Sequence, residues 1–300
     1  MNTSPLCEAG IGPEPSPLRR DLLRSTLAAG FAAAVSPIQA STAIQTGEAG
    51  LEAGTVQVPA GDRSIPAYRA APAGRAGAPL LLVVQEIFGV HEYIRDVCRR
   101  LAHAGYCAVA PELYVRQGDP STIADTSQIV SRIVSKVPDE QVLSDLDACV
   151  DWAGAHGADA GRVGITGFCW GGRIVWLYCA HLGAQGGAHA DRLKAGVAWY
   201  GRLEGTADPL KPRHPIDVVG SLRAPVLGLY GAADPGIPIE SIDRMKAALA
   251  RAGGVAAKSQ FVVYPGAGHA FHADYRPSYV PEAARDGWEK CLRWFQSNLG

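Results

Sequence analysis

The 300-residue sequence has no C-x-x-C pair among its seven cysteines, which stand at positions 7, 98, 107, 149, 169, 179 and 291. That spacing provides neither a disulfide framework nor a zinc knuckle. An extended basic block is also missing: 28 Lys and Arg oppose 29 Asp and Glu, for a formal net charge of −1. Nucleic acid or an anionic membrane surface is therefore disfavoured as the main partner. Around the glycines at 164, 167, 171 and 172 neither G-x-G-x-x-G nor G-K-[S/T] occurs, which removes the dinucleotide and P-loop readings. The N-terminal apolar run Ser25–Val35 falls far short of the roughly 20 residues a spanning helix needs, so stable membrane insertion is not expected. No internal repeat or low-complexity tract divides the chain.

What remains is a sequence able to bury one sizeable core, with 47% hydrophobic residues. At its start, Arg19-Arg20-Asp21-Leu22-Leu23-Arg24 precedes the apolar run, and Ser36-Pro37-Ile38-Gln39-Ala40 follows it. Basic region, short apolar region and small-residue cleavage site are the order of a secretory signal. The paired arginines resemble a twin-arginine export signal. Residues 1–40 are thus expected to be cleaved after Ala40, and the twin-arginine export machinery to carry the folded protein to the bacterial periplasm. The alternative is an uncleaved leader on a cytoplasmic protein. Residues 41–54 read as a flexible lead-in, and 55–300 as a single domain.

Within that domain, Thr55–Val58 and Ile65–Arg69 flank a Gly61-Asp62 turn and predict a hairpin, with Pro66 restricting the second strand to an edge. From Leu80 onward strands and helices alternate. The strands are expected at Leu80–Val84, Tyr106–Ala110, Val163–Thr166, Ala195–Tyr200, Pro225–Tyr230 and Ser259–Tyr264. Helices are expected at Glu92–Ala104, Ile123–Val137, Asp139–His156, Ile239–Ala252 and Pro281–Leu299. This alternation predicts an α/β fold, a mainly parallel sheet with helices on both faces in three layers.

The chemistry concentrates at strand ends, where open α/β sheets place their sites. Gly167-Phe168-Cys169-Trp170-Gly171-Gly172 has the Gly-x-nucleophile-x-Gly spacing of a nucleophile elbow between a strand and a helix. Small neighbours permit the strained backbone such a turn needs, and the helix dipole favours a thiolate. Cys169 is thus the candidate nucleophile rather than an inert buried thiol. Asp234 and His269 follow the last two strands, completing the chain order nucleophile, acid, histidine. His269 can move the proton and Asp234 can fix its tautomer. Backbone N–H groups of Trp170 and Ile87 are the expected oxyanion hole. His269, His272 and Asp274 cluster, yet the rest of a metal site is missing, so no metal or other cofactor is expected.

These residues resemble the dienelactone hydrolase (carboxymethylenebutenolidase) family of α/β-hydrolases, from about Thr55 to the C-terminus. The resemblance rests on Gln85-Glu86-Ile87-Phe88-Gly89, Pro111-Glu112-Leu113-Tyr114, the Cys169 elbow, Trp199-Tyr200-Gly201, Tyr230–Asp234 and Gly266–Phe271. It implies a Cys169–Asp234–His269 triad, and a glutamate, Glu86, that contacts the resting thiol and helps activate it. Arg116 would bind a substrate carboxylate; the family's second such arginine has no counterpart in register, since Arg276 lies further on. Tyr114, Tyr200 and Phe271 are expected beside the substrate. The implied reaction is cleavage of a small lactone or ester through a cysteine thioester. Two rivals are an exported binding protein without turnover, and a broader esterase or peptidase on the same fold.

Overall fold

The structure, a computed structural model, describes residues 43–181 and 191–300; the expected leader lies outside them. Along the chain the strands are β1 (Leu51–Ala60), β2 (Arg63–Pro72), β3 (Ala78–Val84), β4 (Cys107–Pro111), β5 (Ala158–Phe168), β6 (Leu193–Trp199), β7 (Val226–Gly231) and β8 (Gln260–Tyr264). They form one sheet in the order β1-β2-β4-β3-β5-β6-β7-β8. The β1–β2 and β2–β4 pairs are antiparallel and every other pair is parallel. Helices α1 (Glu92–His103), α2 (Thr126–Arg132), α3 (Asp139–Ala155), α4 (Trp170–Cys179), α5 (Ile239–Ala252) and α6 (Pro281–Leu299) fill the connections and the C-terminus.

The layering follows from residue chemistry. All seven residues of β3 are buried, as its unbroken Leu-Leu-Leu-Val-Val run requires of a strand covered on both faces. Gly164 of β5 pairs with Ala195 and the next residue, Ile165, with Gly196, so the two glycines face opposite sides of the sheet. A Cβ on Gly164 would strike Phe295 of α6, and one on Gly196 would strike Val175 and Cys179 of α4. Helices therefore cover both faces. In α6, Ala284, Gly287, Cys291, Phe295 and Leu299 are buried at helical spacing, with Pro281 at the first turn, where a missing N–H is harmless.

Three expectations are corrected. First, β2 is an interior strand rather than an edge. The Pro66 carbonyl accepts from Glu112 N at 2.8 Å, just past the last β2–β4 pair, Ala67–Pro111. Its missing N–H thus falls beyond the ladder, where it leaves no bond unmade. Second, the helix expected over Ile123–Val137 is shorter. The Asp125 side chain caps α2 through Ser127 N at 2.7 Å, and Val137, which precedes Pro138, is extended.

Third, the flexible lead-in is bound along its latter part. Thr46 N donates to Asp96, the Thr46 carbonyl accepts from Arg99 Nε at 2.8 Å, and His103 Nε2 meets the Gly47 carbonyl at 2.8 Å. Its last residues, from Leu51, belong to β1. These partners lie on α1, far along the chain, so local composition does not reveal them.

Candidate active site

The β5–α4 junction is the tightest turn in the sheet. Cys169 sits at φ 56° and ψ −113°, a conformation that costs a non-glycine residue about 1–3 kcal/mol. Its surroundings over-determine it. Cys169 N donates to the Trp199 carbonyl at 3.0 Å, and Arg173 N closes the first turn of α4 on the Cys169 carbonyl at 3.3 Å. A Cβ on Gly171 would lie 2.4 Å from the Val84 carbonyl oxygen, and one on Gly172 2.5 Å from that of Trp199. Only glycine lets the start of α4 press against the ends of β3 and β6 together. The thiol is 4% exposed.

Two loops from the far side of the sheet reach the same place. The loop after β7 carries Asp234 and the loop after β8 carries His269. Ala232 N donates to the Tyr264 carbonyl at 3.0 Å and Ala233 N to the Ala267 carbonyl at 2.9 Å, which zips the loops together. His269 Nδ1 lies 2.7 Å from Asp234 Oδ2, while Asp234 Oδ1 accepts from Gly236 N at 2.8 Å. With Nδ1 so engaged, the imidazole hydrogen-bonds the Cys169 thiol. Burial works to lower the His269 pKa, but the Cys169 charge and the bonds to Asp234 and Cys169 outweigh it and push it up to about 10. Tyr200, at φ 39°, stands edge-on to the imidazole with centroids 5.2 Å apart. Cysteine, imidazole and carboxylate thus stand in line, an arrangement able to hold a thiolate beside an imidazolium.

Trp170 is the first residue of α4, where a backbone N–H has no intrahelical acceptor. Ile87 opens the turn after β3, closed by a Glu86–Gly89 bridge with Gly89 at φ 78°. Because Gly171 abuts the Val84 and Gln85 carbonyls, the expected oxyanion donors belong to adjoining segments. Tyr114 packs edge-on against Trp170 at 4.9 Å and directs its hydroxyl to the Glu86 carbonyl at 3.4 Å.

Other expected residues are placed differently. Arg116 does not face the thiol: it binds Asp145 through both terminal nitrogens, at 2.7 and 3.1 Å, and donates to Asp62 at 2.9 Å and the Ala60 carbonyl at 3.0 Å. Two carboxylates on the β1–β2 turn and α3 hold its charge there. Phe271 is fully buried among Trp199, Tyr200 and Tyr264, beneath the site and not on its wall. Glu86 is turned from the thiol toward Tyr275, Arg276 and His91. His272 is a packing residue, its Nδ1 2.6 Å from Tyr93 Oη; burial, then the charge of Arg100, lowers its pKa to about 3. Among the described residues no group of three or more His, Cys, Asp or Glu could hold a metal ion.

Sequence reasoning missed Arg202, Tyr275 and His91. Arg202 follows Tyr200-Gly201 and is partly buried. Burial draws its pKa down, the Cys169 and Asp234 charges work the other way, and Arg173 adds to the lowering. The signal available was its place directly after the end of β6.

A sequence model of the dienelactone hydrolase family matches residues 65–299. A Methylorubrum extorquens protein named "Putative carboxymethylenebutenolidase" is 60% identical over 279 residues, covering 93% of this chain and 92% of its own. A Salmonella typhimurium protein of the same name is 52% identical over 274 residues, covering 91% and 97%. A crystal structure described as a "Putative Dienelactone Hydrolase", from Klebsiella pneumoniae, superposes with a TM-score of 0.77 at 52% identity, covering 82% of this chain and 98% of that one. With the eight-stranded sheet, these likenesses give the α/β-hydrolase fold and an ester-hydrolysing lineage: this chain belongs to the dienelactone hydrolase family.

Proposed function

We propose that this protein hydrolyses a small lactone or carboxylic ester through a thioester on Cys169. The observation carrying the proposal is the Asp234–His269 bond of 2.7 Å, with the other side of the imidazole on a thiol at a strained strand–helix turn. The Cys169 thiolate attacks the carbonyl carbon, forming a C–S bond and an oxyanion that the Ile87 and Trp170 N–H groups receive. As the C–O bond breaks, the imidazolium of His269 gives its proton to the leaving alkoxide; in a lactone that alkoxide stays tethered. Once Cys169 is acylated its charge is gone, and with it one of the causes that raise the His269 pKa. The imidazole then takes a proton from water, which attacks the thioester and releases the acid. Arg202, beside the nucleophile, is the cation suited to an anionic substituent on the substrate.

Mass spectrometry after rapid quench is expected to show an acyl adduct on Cys169. Cys169→Ala is expected to remove turnover of lactones and aryl esters, by more than about 10⁴-fold, with the thermal melt retained. Undiminished hydrolysis in that variant would refute the thioester route. Export to the periplasm is proposed on Arg19-Arg20 and the short apolar run that follows. Replacing both arginines by lysine should leave the protein in the cytoplasmic fraction; unchanged periplasmic recovery would count against twin-arginine export.

A further inference from the structure

Glu86 stands at the end of β3, beside the expected oxyanion donor Ile87, and is 1% exposed. Its Oε2 accepts from the Tyr275 hydroxyl at 2.5 Å and lies 3.7 Å from Arg276 Nη2 and 3.6 Å from His91 Nε2. Arg276 Nε in turn donates to the Tyr275 oxygen at 2.9 Å, and its guanidinium lies 4.6 Å from the centre of the Phe88 ring. The carboxylate thus joins the turn after β3 to the segment directly following His269. That segment is held at further points: His272 by Tyr93 at 2.6 Å, and Asp274 by Arg100 at 2.6 Å and by the Ile44 backbone.

Swinging Glu86 to the thiol would break the Tyr275 bond and strip a buried guanidinium of its counter-charge, a costly exchange in a site this dry. Meanwhile the thiol already has the imidazole as its partner. We propose that Glu86 is a fixed anchor between the β3 turn and the histidine loop, with Tyr275 and Arg276 as positioning residues, and that His269 alone readies Cys169. The inference rests on reading Cys169, His269 and Asp234 as the reacting triad. It departs from the expectation that the glutamate activates the thiol.

Burial works against ionisation of Glu86, but Arg276, His91 and Tyr275 outweigh it and hold its pKa at about 2. Tyr93 and Tyr200 also feel its charge. Around Cys169 the charged or titratable groups are His269, Arg202, Arg276 and Tyr114.

Iodoacetamide alkylation of Cys169 against pH, in the full chain without any ester, reads the resting thiolate. For the wild type we expect a midpoint well below the usual thiol value of about 8.5. Glu86→Gln is expected to keep that midpoint within about half a pH unit, while His269→Asn raises it by about one unit or more. Tyr275→Phe should lower kcat by about tenfold with KM held within about twofold, because the loop carrying His269 loses its tether.

A Glu86→Gln midpoint raised by about one unit or more would overturn the proposal. So would a wild-type thiol that stays unreactive until a lactam analogue is added, an arm that needs no variant to fold. Failure to trap an acyl adduct would instead strike the thioester route and leave the alkylation midpoint as a separate result.

Discussion

One imidazole proton sets the pH range over which this site can work. Because the His269 pKa is raised to about 10, the protonated form and its bonds persist well above the ordinary histidine value. The sign follows: their contribution to stability is fully present below the unfolded-state value of about 6.5 and is lost as pH rises through about 10. Acylation draws its leaving-group proton from the same imidazolium. Single-turnover acylation is therefore expected to be level through neutral pH and to fall near pH 10. Asp234→Asn should lower kcat by about 10³–10⁴-fold and move the alkaline limb down, since it removes the acceptor that fixes Nδ1. Arg202→Gln is expected to raise KM about tenfold for a carboxylate-bearing lactone and to leave neutral aryl esters nearly unchanged. Equal effects on both substrate classes would remove Arg202 from substrate recognition.

The decisive element is the start of α4, pressed between the ends of β3 and β6. A methyl at Gly171 would meet backbone oxygen at 2.4 Å, and backbone cannot step aside as a side chain can. Gly171→Ala is expected to destabilise the fold by about 1–3 kcal/mol, seen as a lower Tm, and to depress turnover further by displacing Trp170 and Cys169. An unchanged melt would mean that the strand ends are looser than the geometry implies. Most elements could be read in the sequence because their signals are local. The apolar run of β3, the Gly-x-Cys-x-Gly turn and Pro281 at the head of α6 each state their own conformation. β5 was harder, since it starts at Ala158 and its first residues, Ala-Asp-Ala-Gly-Arg, lack an apolar run. The partners of Arg116 and Glu86 were beyond reach for another reason. Which charge an arginine meets depends on segments brought together only by the tertiary fold: Asp62 and Asp145 for the first, Tyr275 and Arg276 for the second.

Over the whole molecule, charged networks tie the N-terminal region to the site. The residues before β1 bind Asp96 and Arg99 on α1, and Arg100 bridges Asp96 and Asp274 at 2.5 and 2.6 Å. A chain beginning at Leu51 should therefore melt earlier and show faster hydrogen exchange around Asp274–Arg276, although that segment is distant in sequence. Exchange unchanged there would mean that the N-terminal contacts do not support the loop. In acid, the depressed Glu86 contributes stability that is present above the unfolded-state value of 4.5 and lost as pH falls through about 2.

The sheet order has a consequence for synthesis. Cys169 leaves the ribosome well before His269, whose loop can be set only after β8 has paired with β7. A growing chain therefore carries an ordinary thiol without its imidazole, in a cell where acylating and alkylating metabolites are present. Reactivity arrives with the closing strand, so the protein becomes chemically competent only when it is nearly complete.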